Sequence, residues 1–277
     1  MDSQQILRAQ AFKALHERDG AFVIPNPWDA GSAKLLASLG FEALATTSAG
    51  LAFTLARADA EGAINRAEAL ANVAAIVGAT SLPVAADLEN CFADSPEGCA
   101  ETLLMAAATG IVGGSIEDAS GQAANPIYDF ELSVDRVRAA AEAARSLPFP
   151  FLLTARAENL LHGRMDFDDT LRRLTAYAEA GADVLYAPGL RTREEIIAVV
   201  RAVAPRPVNV LMGSGGVTLS VSDLSACGVK RISVGSSLAR AAFGGLYRAA
   251  EEIRQHGTFT YAAQALPFDQ LNNLFKG

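Results

Sequence analysis

Lysine, cysteine and long apolar runs are all scarce in this sequence, and each scarcity rules something out. No apolar stretch reaches the roughly 20 residues that a bilayer-spanning helix needs. The opening MDSQQILRAQ lacks the basic-then-apolar order of an export signal, so the cytoplasm is the expected location. Lys and Arg number 23 against 31 Asp and Glu, a formal charge of −8, and no basic run interrupts that balance. Neither a nucleic acid nor a membrane is therefore an expected partner. The three cysteines, Cys91, Cys99 and Cys227, show no paired zinc spacing and read as reduced thiols. Lysine occurs only at positions 13, 34, 230 and 276.

What is present is an apolar fraction of 51% over 277 residues and a repeated architecture. Short β-branched or apolar runs begin near Ala21 (AFVIPNP), Phe41 (FEALATTSA), Pro83 (PVAADLE) and Gly113 (GGSIED). Four more begin near Phe151 (FLLTARAE), Ala182 (ADVLYAPG), Pro207 (PVNVLM) and Arg231 (RISVGSS). Each precedes a segment with helical spacing, such as TLRRLTAYAEA. Eight such units predict a (β/α)8 TIM barrel, for which about 250 residues is typical. The rival, a doubly wound open sheet for a dinucleotide, wants Gly-x-Gly-x-x-Gly after the first strand. Pro25-Asn26-Pro27-Trp28-Asp29 stands there instead. Residues 1–243 are assigned to the barrel and 244–277 to an extra C-terminal helical extension of the same domain.

In such barrels chemistry sits at the C-terminal ends of the strands. Strand three ends in Asp87-Leu88-Glu89, strand four in Glu117-Asp118, and the loop after strand two offers Asp59. Strand alternation predicts that Asp87 and Glu89 share a side. Acids converging on one mouth repel unless a cation sits among them, and an oxygen-only donor set favours Mg²⁺, with Mn²⁺ as the substitute. The ordinary alternative is a set of helix caps and solvated rim acids. Arg156 at the end of strand five is a natural clamp for a substrate carboxylate or developing oxyanion, or else a structural ion pair with Glu117 or Glu158. Asn209 is a candidate donor to a substrate oxygen, or a buried amide satisfied within the fold. Thr47, Ser48, Ala49 and Gly50 form a small-residue loop whose N–H groups can approach an anion. Of the histidines, only His162 is within reach of this end. Cys91 reads as a packed thiol. No lysine falls at a strand's C-terminal end, which excludes a Schiff base and leaves metal-assisted enolate chemistry. Gly213-Ser214-Gly215-Gly216 and Gly235-Ser236-Ser237 occupy the usual phosphate-binding place of a barrel, which keeps a phosphate-binding enzyme open.

With these pieces in order, TTSAGLA, Asp59, PVAADLE, GGSIED, LLTARAE and PVNVL, the chain resembles the isocitrate lyase/phosphoenolpyruvate mutase superfamily over nearly its whole length. The resemblance implies a Mg²⁺-dependent enzyme that makes or cleaves C–C or P–C bonds in 2-oxo or 2-hydroxy acids. It implies Asp87 as direct metal ligand, with Glu89, Glu117 and Asp59 acting through bound water. Arg156, with Asp59 and Glu117, becomes the catalytic set, and Thr47 to Gly50 with Asn209 and Arg156 the substrate contacts. It further implies a homo-oligomer, a dimer or tetramer, in which the last helix swaps between barrels. The departures are specific. The loop Ala119–Tyr128 has neither the Cys of the lyases nor the Lys of the phosphonate enzymes, and Tyr186-Ala187-Pro188 replaces an expected Glu. The expected function is a Mg²⁺-dependent lyase acting on a small di- or tricarboxylate, such as oxaloacetate or an alkylmalate. Phosphonopyruvate hydrolysis or mutation, and a non-catalytic 2-oxo acid binder, are the alternatives.

Overall fold

Parallel strands need a crossover between each pair, and here a helical segment follows every strand. The computed structural model describes residues 3–59, 62–213 and 218–276. All eight expected strands form: β1 (Phe22–Ile24), β2 (Leu44–Ala45), β3 (Val84–Asp87), β4 (Gly113–Glu117), β5 (Leu152–Arg156), β6 (Val184–Tyr186), β7 (Val208–Leu211) and β8 (Arg231–Ser233). The order is β1-β8-β7-β6-β5-β4-β3-β2, and all seven pairings are parallel. Across the remaining gap the Ala45 amide donates to the Pro25 carbonyl at 3.1 Å. The sheet is a nearly closed (β/α)8 barrel, and the open doubly wound alternative is excluded.

Local chemistry punctuates the units as the sequence suggests. Asp29, Asn65 and Thr192 cap the helices Ala30–Ser38, Arg66–Gly78 and Arg193–Ala202 with reciprocal capping boxes. Gly181 ends the helix Phe167–Ala180 at φ 110°, a conformation that costs a side-chain-bearing residue about 1 kcal/mol or more. The first helix, Ser3–Glu17, covers the N-terminal end of the barrel. Its Phe12 is fully buried against Gly113 at the foot of β4, where an added Cβ would lie 2.9 Å from the ring. Its His16 packs edge-on to Phe22 at the foot of β1. That end is sealed, so access lies at the other one.

The boundary drawn between residues 243 and 244 falls inside one continuous helix, Ser237–His256. Only Ala239 of that helix is buried. The last helix, Phe268–Phe275, lies beside Ala30–Ser38, where Lys34 Nζ donates to the Phe275 carbonyl at 3.4 Å. Phe259 and Phe268 remain 65% and 79% exposed, so this extension is not shielded by its own barrel. Among the described residues no helix is long and apolar enough to cross a membrane.

Candidate active site

At the C-terminal end of the strands lies a cavity of about 220 Å³, bounded by Asp87, Ser115, Arg156, Tyr186 and the turn Thr47–Ala49. Asp87 is the last residue of β3, and its backbone N–H donates to Thr46 Oγ1 at 2.9 Å. Its carboxylate is held from two sides. Oδ2 accepts from Ser48 N (3.1 Å) and Ser48 Oγ (2.9 Å), and Oδ1 accepts from Arg156 Nη1 (3.0 Å). The turn after β2 and the ends of β3 and β5 thus meet at the mouth, where neighbouring strands of the barrel end side by side. Asp87 is in register with Ser115, and Glu117 with Arg156.

Arg156 contacts three acids. Besides Asp87, Nη2 lies 3.2 Å from Glu117, and Nε donates to Glu158 at 2.7 Å. The guanidinium carbon sits 5.1 Å from the Tyr186 ring centroid. Burial opposes the charge of Arg156, but Glu158, Glu117 and Asp87 outweigh it and hold the group firmly protonated. One cation does not neutralise this set. Burial, with Glu158, Asp87 and Glu89 adding repulsion, raises the Glu117 carboxyl well above its usual range.

Glu89 reaches the mouth by a different route from the one that strand alternation predicts. β3 stops at Asp87, and Glu89, Cys91 and Phe92 have φ of 49°, 60° and 53°. Non-glycine residues in this region cost roughly 1–2 kcal/mol each. The turn is clamped by Arg136, 1% exposed, whose guanidinium donates to the carbonyls of Asn90, Ala93 and Glu117. Glu89 consequently lines an outer cavity of about 690 Å³, together with Glu117, Asn65 and His162. Burial, then repulsion from Asp87 and Asp59, pushes its carboxyl up to about 7. Asp59 is exposed and borders the inner cavity. Among the described residues no three His, Cys, Asp or Glu side chains stand close enough to hold a metal between them. Magnesium seldom needs that, since it keeps several waters and binds through one or two carboxylates. The donor set, oxygen-only and in excess over its one guanidinium, fits such an ion.

The remaining sequence candidates divide. Ala49 borders the inner cavity, but the Gly50 amide donates to Thr47 Oγ1 at 3.2 Å. A Cβ there would lie 2.8 Å from Trp28 Cβ, so Gly50 serves packing against the first βα loop. Asn209 borders the cavity with its amide engaged, accepting from Arg231 Nε and donating to Ser233 Oγ, each at 2.9 Å. Cys91 is a buried thiol, as expected. The loop after β4 folds back through an Ala119–Ile127 bridge and a Ser120–Asn125 hydrogen bond. Of the phosphate-loop candidates, Gly235 and Ser236 border the inner cavity, Ser237 begins the long final barrel helix, and residues 214–216 lie outside the described residues.

Arg136, Arg231 and Asn26 were not evident from the sequence. Asn26 Nδ2 donates to the Thr46 carbonyl (3.0 Å), and Oδ1 accepts from Val234 N and Gly235 N (2.9 Å each), tying β1 to β2 and β8. Its position between Pro25 and Pro27, at a strand end short of backbone donors, is the signal that could have found it. The two arginines carry no comparable mark.

Comparison with known proteins agrees with this architecture. Residues 12–254 match the phosphoenolpyruvate phosphomutase family. The chain is similar to the crystal structure of a Burkholderia cenocepacia J2315 protein provisionally assigned as a lyase or mutase. The TM-score is 0.97 at 57% identity, covering 100% of this chain and 98% of that one. It is 30% identical over 264 residues to an uncharacterised protein of Mycobacterium tuberculosis, covering 94% of each. The crystal structure of 2,3-dimethylmalate lyase, a member of the phosphoenolpyruvate mutase/isocitrate lyase superfamily, superposes with a TM-score of 0.86. The identity there is 26%, covering 96% of this chain and 94% of that one.

Proposed function

The chain belongs to the phosphoenolpyruvate phosphomutase family, within the isocitrate lyase/phosphoenolpyruvate mutase superfamily, and from that premise we propose a divalent-metal-dependent lyase. Its substrate is a small 2-oxo or 2-hydroxy di- or tricarboxylate, and the bond cleaved is C–C. One observation carries this: Asp87 held between Ser48 and Arg156 at the mouth of the barrel.

Asp87 would hold Mg²⁺, or Mn²⁺, directly, with Glu89, Glu117 and Asp59 acting through water. Bound there, the ion supplies Lewis-acid charge beside the substrate's 2-oxygen. The chain's own groups do the rest. The Thr47–Ala49 turn receives the carboxylate next to that oxygen. Arg156, oriented by Glu158 and Glu117, donates N–H groups where negative charge accumulates as the C–C bond breaks. Tyr186, 8% exposed, walls the cavity, and Leu161 stands at its exposed rim. The loop 119–128 offers neither Cys nor Lys, so water or a polar group of that loop would protonate the carbanion.

The family match itself favours a second reading, P–C bond chemistry on phosphonopyruvate. A Mg²⁺-dependence assay over oxaloacetate, 2-methylisocitrate, isocitrate, 2,3-dimethylmalate and phosphonopyruvate separates the two. Pyruvate, glyoxylate or oxalate released from one of the first four supports the lyase. Phosphate or phosphoenolpyruvate formed from phosphonopyruvate alone transfers the assignment to the second. Ligand-dependent thermal stabilisation without any product leaves a binder. The exposed apolar side chains of the extension support the homo-oligomer expected from the resemblance, and light scattering that finds a monomer would overturn it.

A further inference from the structure

Barrels of this type are ordinarily filled by layers of bulky branched side chains. Here the cavity descends below Asp87 between small residues, Ala45, Ala85, Ser115 and Thr154, and meets the guanidinium of Arg231. Arg231 opens β8 and is 6% exposed. Its Nε donates to Asn209 Oδ1 and its Nη2 to Thr154 Oγ1, both at 2.9 Å. Both partners are neutral, and among the described residues no carboxylate pairs with it. Arg156, the other arginine of this cavity, has three acids against it, and Arg173 has two. The buried Arg136 is met by three backbone carbonyls and lines neither cavity. Burial pulls Arg231 down to about 10, which leaves it protonated at neutral pH. His16, on the helix that seals the barrel, feels the same charge. Burial and Arg231 push its imidazole down to about 3, so it stays neutral.

A buried cation whose partners are all neutral is costly to keep, and an anion entering the cavity relieves that cost. The positive charge of Arg156 is already matched by carboxylates, so Arg231 is the uncompensated cation of the cavity. We propose that Arg231 receives the distal carboxylate of the substrate, so that the site selects dianionic acids over monoacids of the same size. This rests on the functional reading above, in which the proximal carboxylate and the 2-oxygen sit at Ser48, Ala49 and Arg156. Asn209 and Thr154 are then positioning residues that aim the guanidinium fork, and Ser233 orients Asn209.

The test is calorimetric titration of the full-length protein in Mg²⁺ at neutral pH with two matched probes, 2-oxoglutarate and its 5-methyl ester. The ester keeps the 2-oxo acid end and loses only the distal charge. Wild-type protein is expected to bind the diacid about tenfold more tightly or better, the worth of one charge-assisted hydrogen bond. Arg231→Met is expected to erase that preference by weakening the diacid while leaving the ester unchanged. Arg231→Lys keeps the charge without the fork and is expected to retain a reduced preference, which covers the case of a misfolded Arg231→Met. Equal binding of the two probes by the wild type, or a full preference surviving in either variant, overturns the assignment. If an acid of the substrate panel is turned over and the probes still bind equally, only Arg231 loses its role. If no acid reacts and neither probe binds, the functional reading falls and takes this assignment with it.

Discussion

Glu117 and Asp118 are neighbours in sequence, yet the barrel treats them in opposite ways. Alternation at the end of β4 turns Glu117 into the mouth and Asp118 into the wall between strand and helix. Asp118 is 3% exposed and fully served: it accepts from Arg173 Nη1 (3.1 Å), Tyr177 Oη (2.6 Å) and the Glu158 amide (2.8 Å). Glu117 has one cationic contact, Arg156, shared with Asp87 and Glu158. Both sets contain one arginine and two or more acids. Only the wall balances acceptors with donors; the mouth keeps an excess of carboxylates over donors beside a cavity, which is the arrangement that the proposed function uses.

The largest effect that tests this contrast is Asp118→Ala. It leaves Arg173 with Asp169 alone and strands the Tyr177 hydroxyl and the Glu158 amide in the wall, and a loss of about 3 kcal/mol is expected in denaturant unfolding. Asp87→Ala should do the reverse, leaving stability within about 1 kcal/mol while Mg²⁺-dependent turnover of the identified substrate falls roughly a hundred- to a thousandfold. Equal destabilisation by the two variants would erase the distinction between wall and mouth.

Acid sharpens the contrast at the sealed end. The unfolded chain protonates His16 near its ordinary pKa of 6.5, whereas the folded protein resists until about 3. Stability from this group is therefore intact above about pH 6.5 and falls by roughly 1.4 kcal/mol per unit as the pH drops below it. Unfolding curves between pH 6.5 and 5 should show a loss of about 2 kcal/mol that His16→Leu lacks. The smallest effect belongs to the turn that presents Ser48. Thr47→Ala removes the cap on Gly50 N, with an expected cost of about 1 kcal/mol in thermal unfolding.

Much of this molecule is legible in one dimension because it depends on neighbours along the chain. Capping residues, a glycine that turns left-handed and eight short apolar runs are local signals, and all eight strands formed where those runs lie. Asp87 and Arg156 were legible for a related reason: a strand end in a barrel leads to the mouth whatever else the fold does. Glu89 shows where local logic stops. Its acid was visible, but a left-handed turn clamped from 47 residues away by Arg136 replaced the alternation that should have aimed it.

By itself, then, the sequence determined the barrel and many of the residues that crowd the cavity at the C-terminal end of its strands. These follow from periodicity, backbone preference and the direction of parallel strands. Tertiary structure alone decided the charge balance. Whether an arginine of the cavity has three acids, as Arg156 does, or only neutral partners, as Arg231 does, depends on side chains that meet across as few as 2 and as many as 77 positions of chain. Burial and Coulomb energy depend on distance through space, and no spacing along the chain encodes that distance.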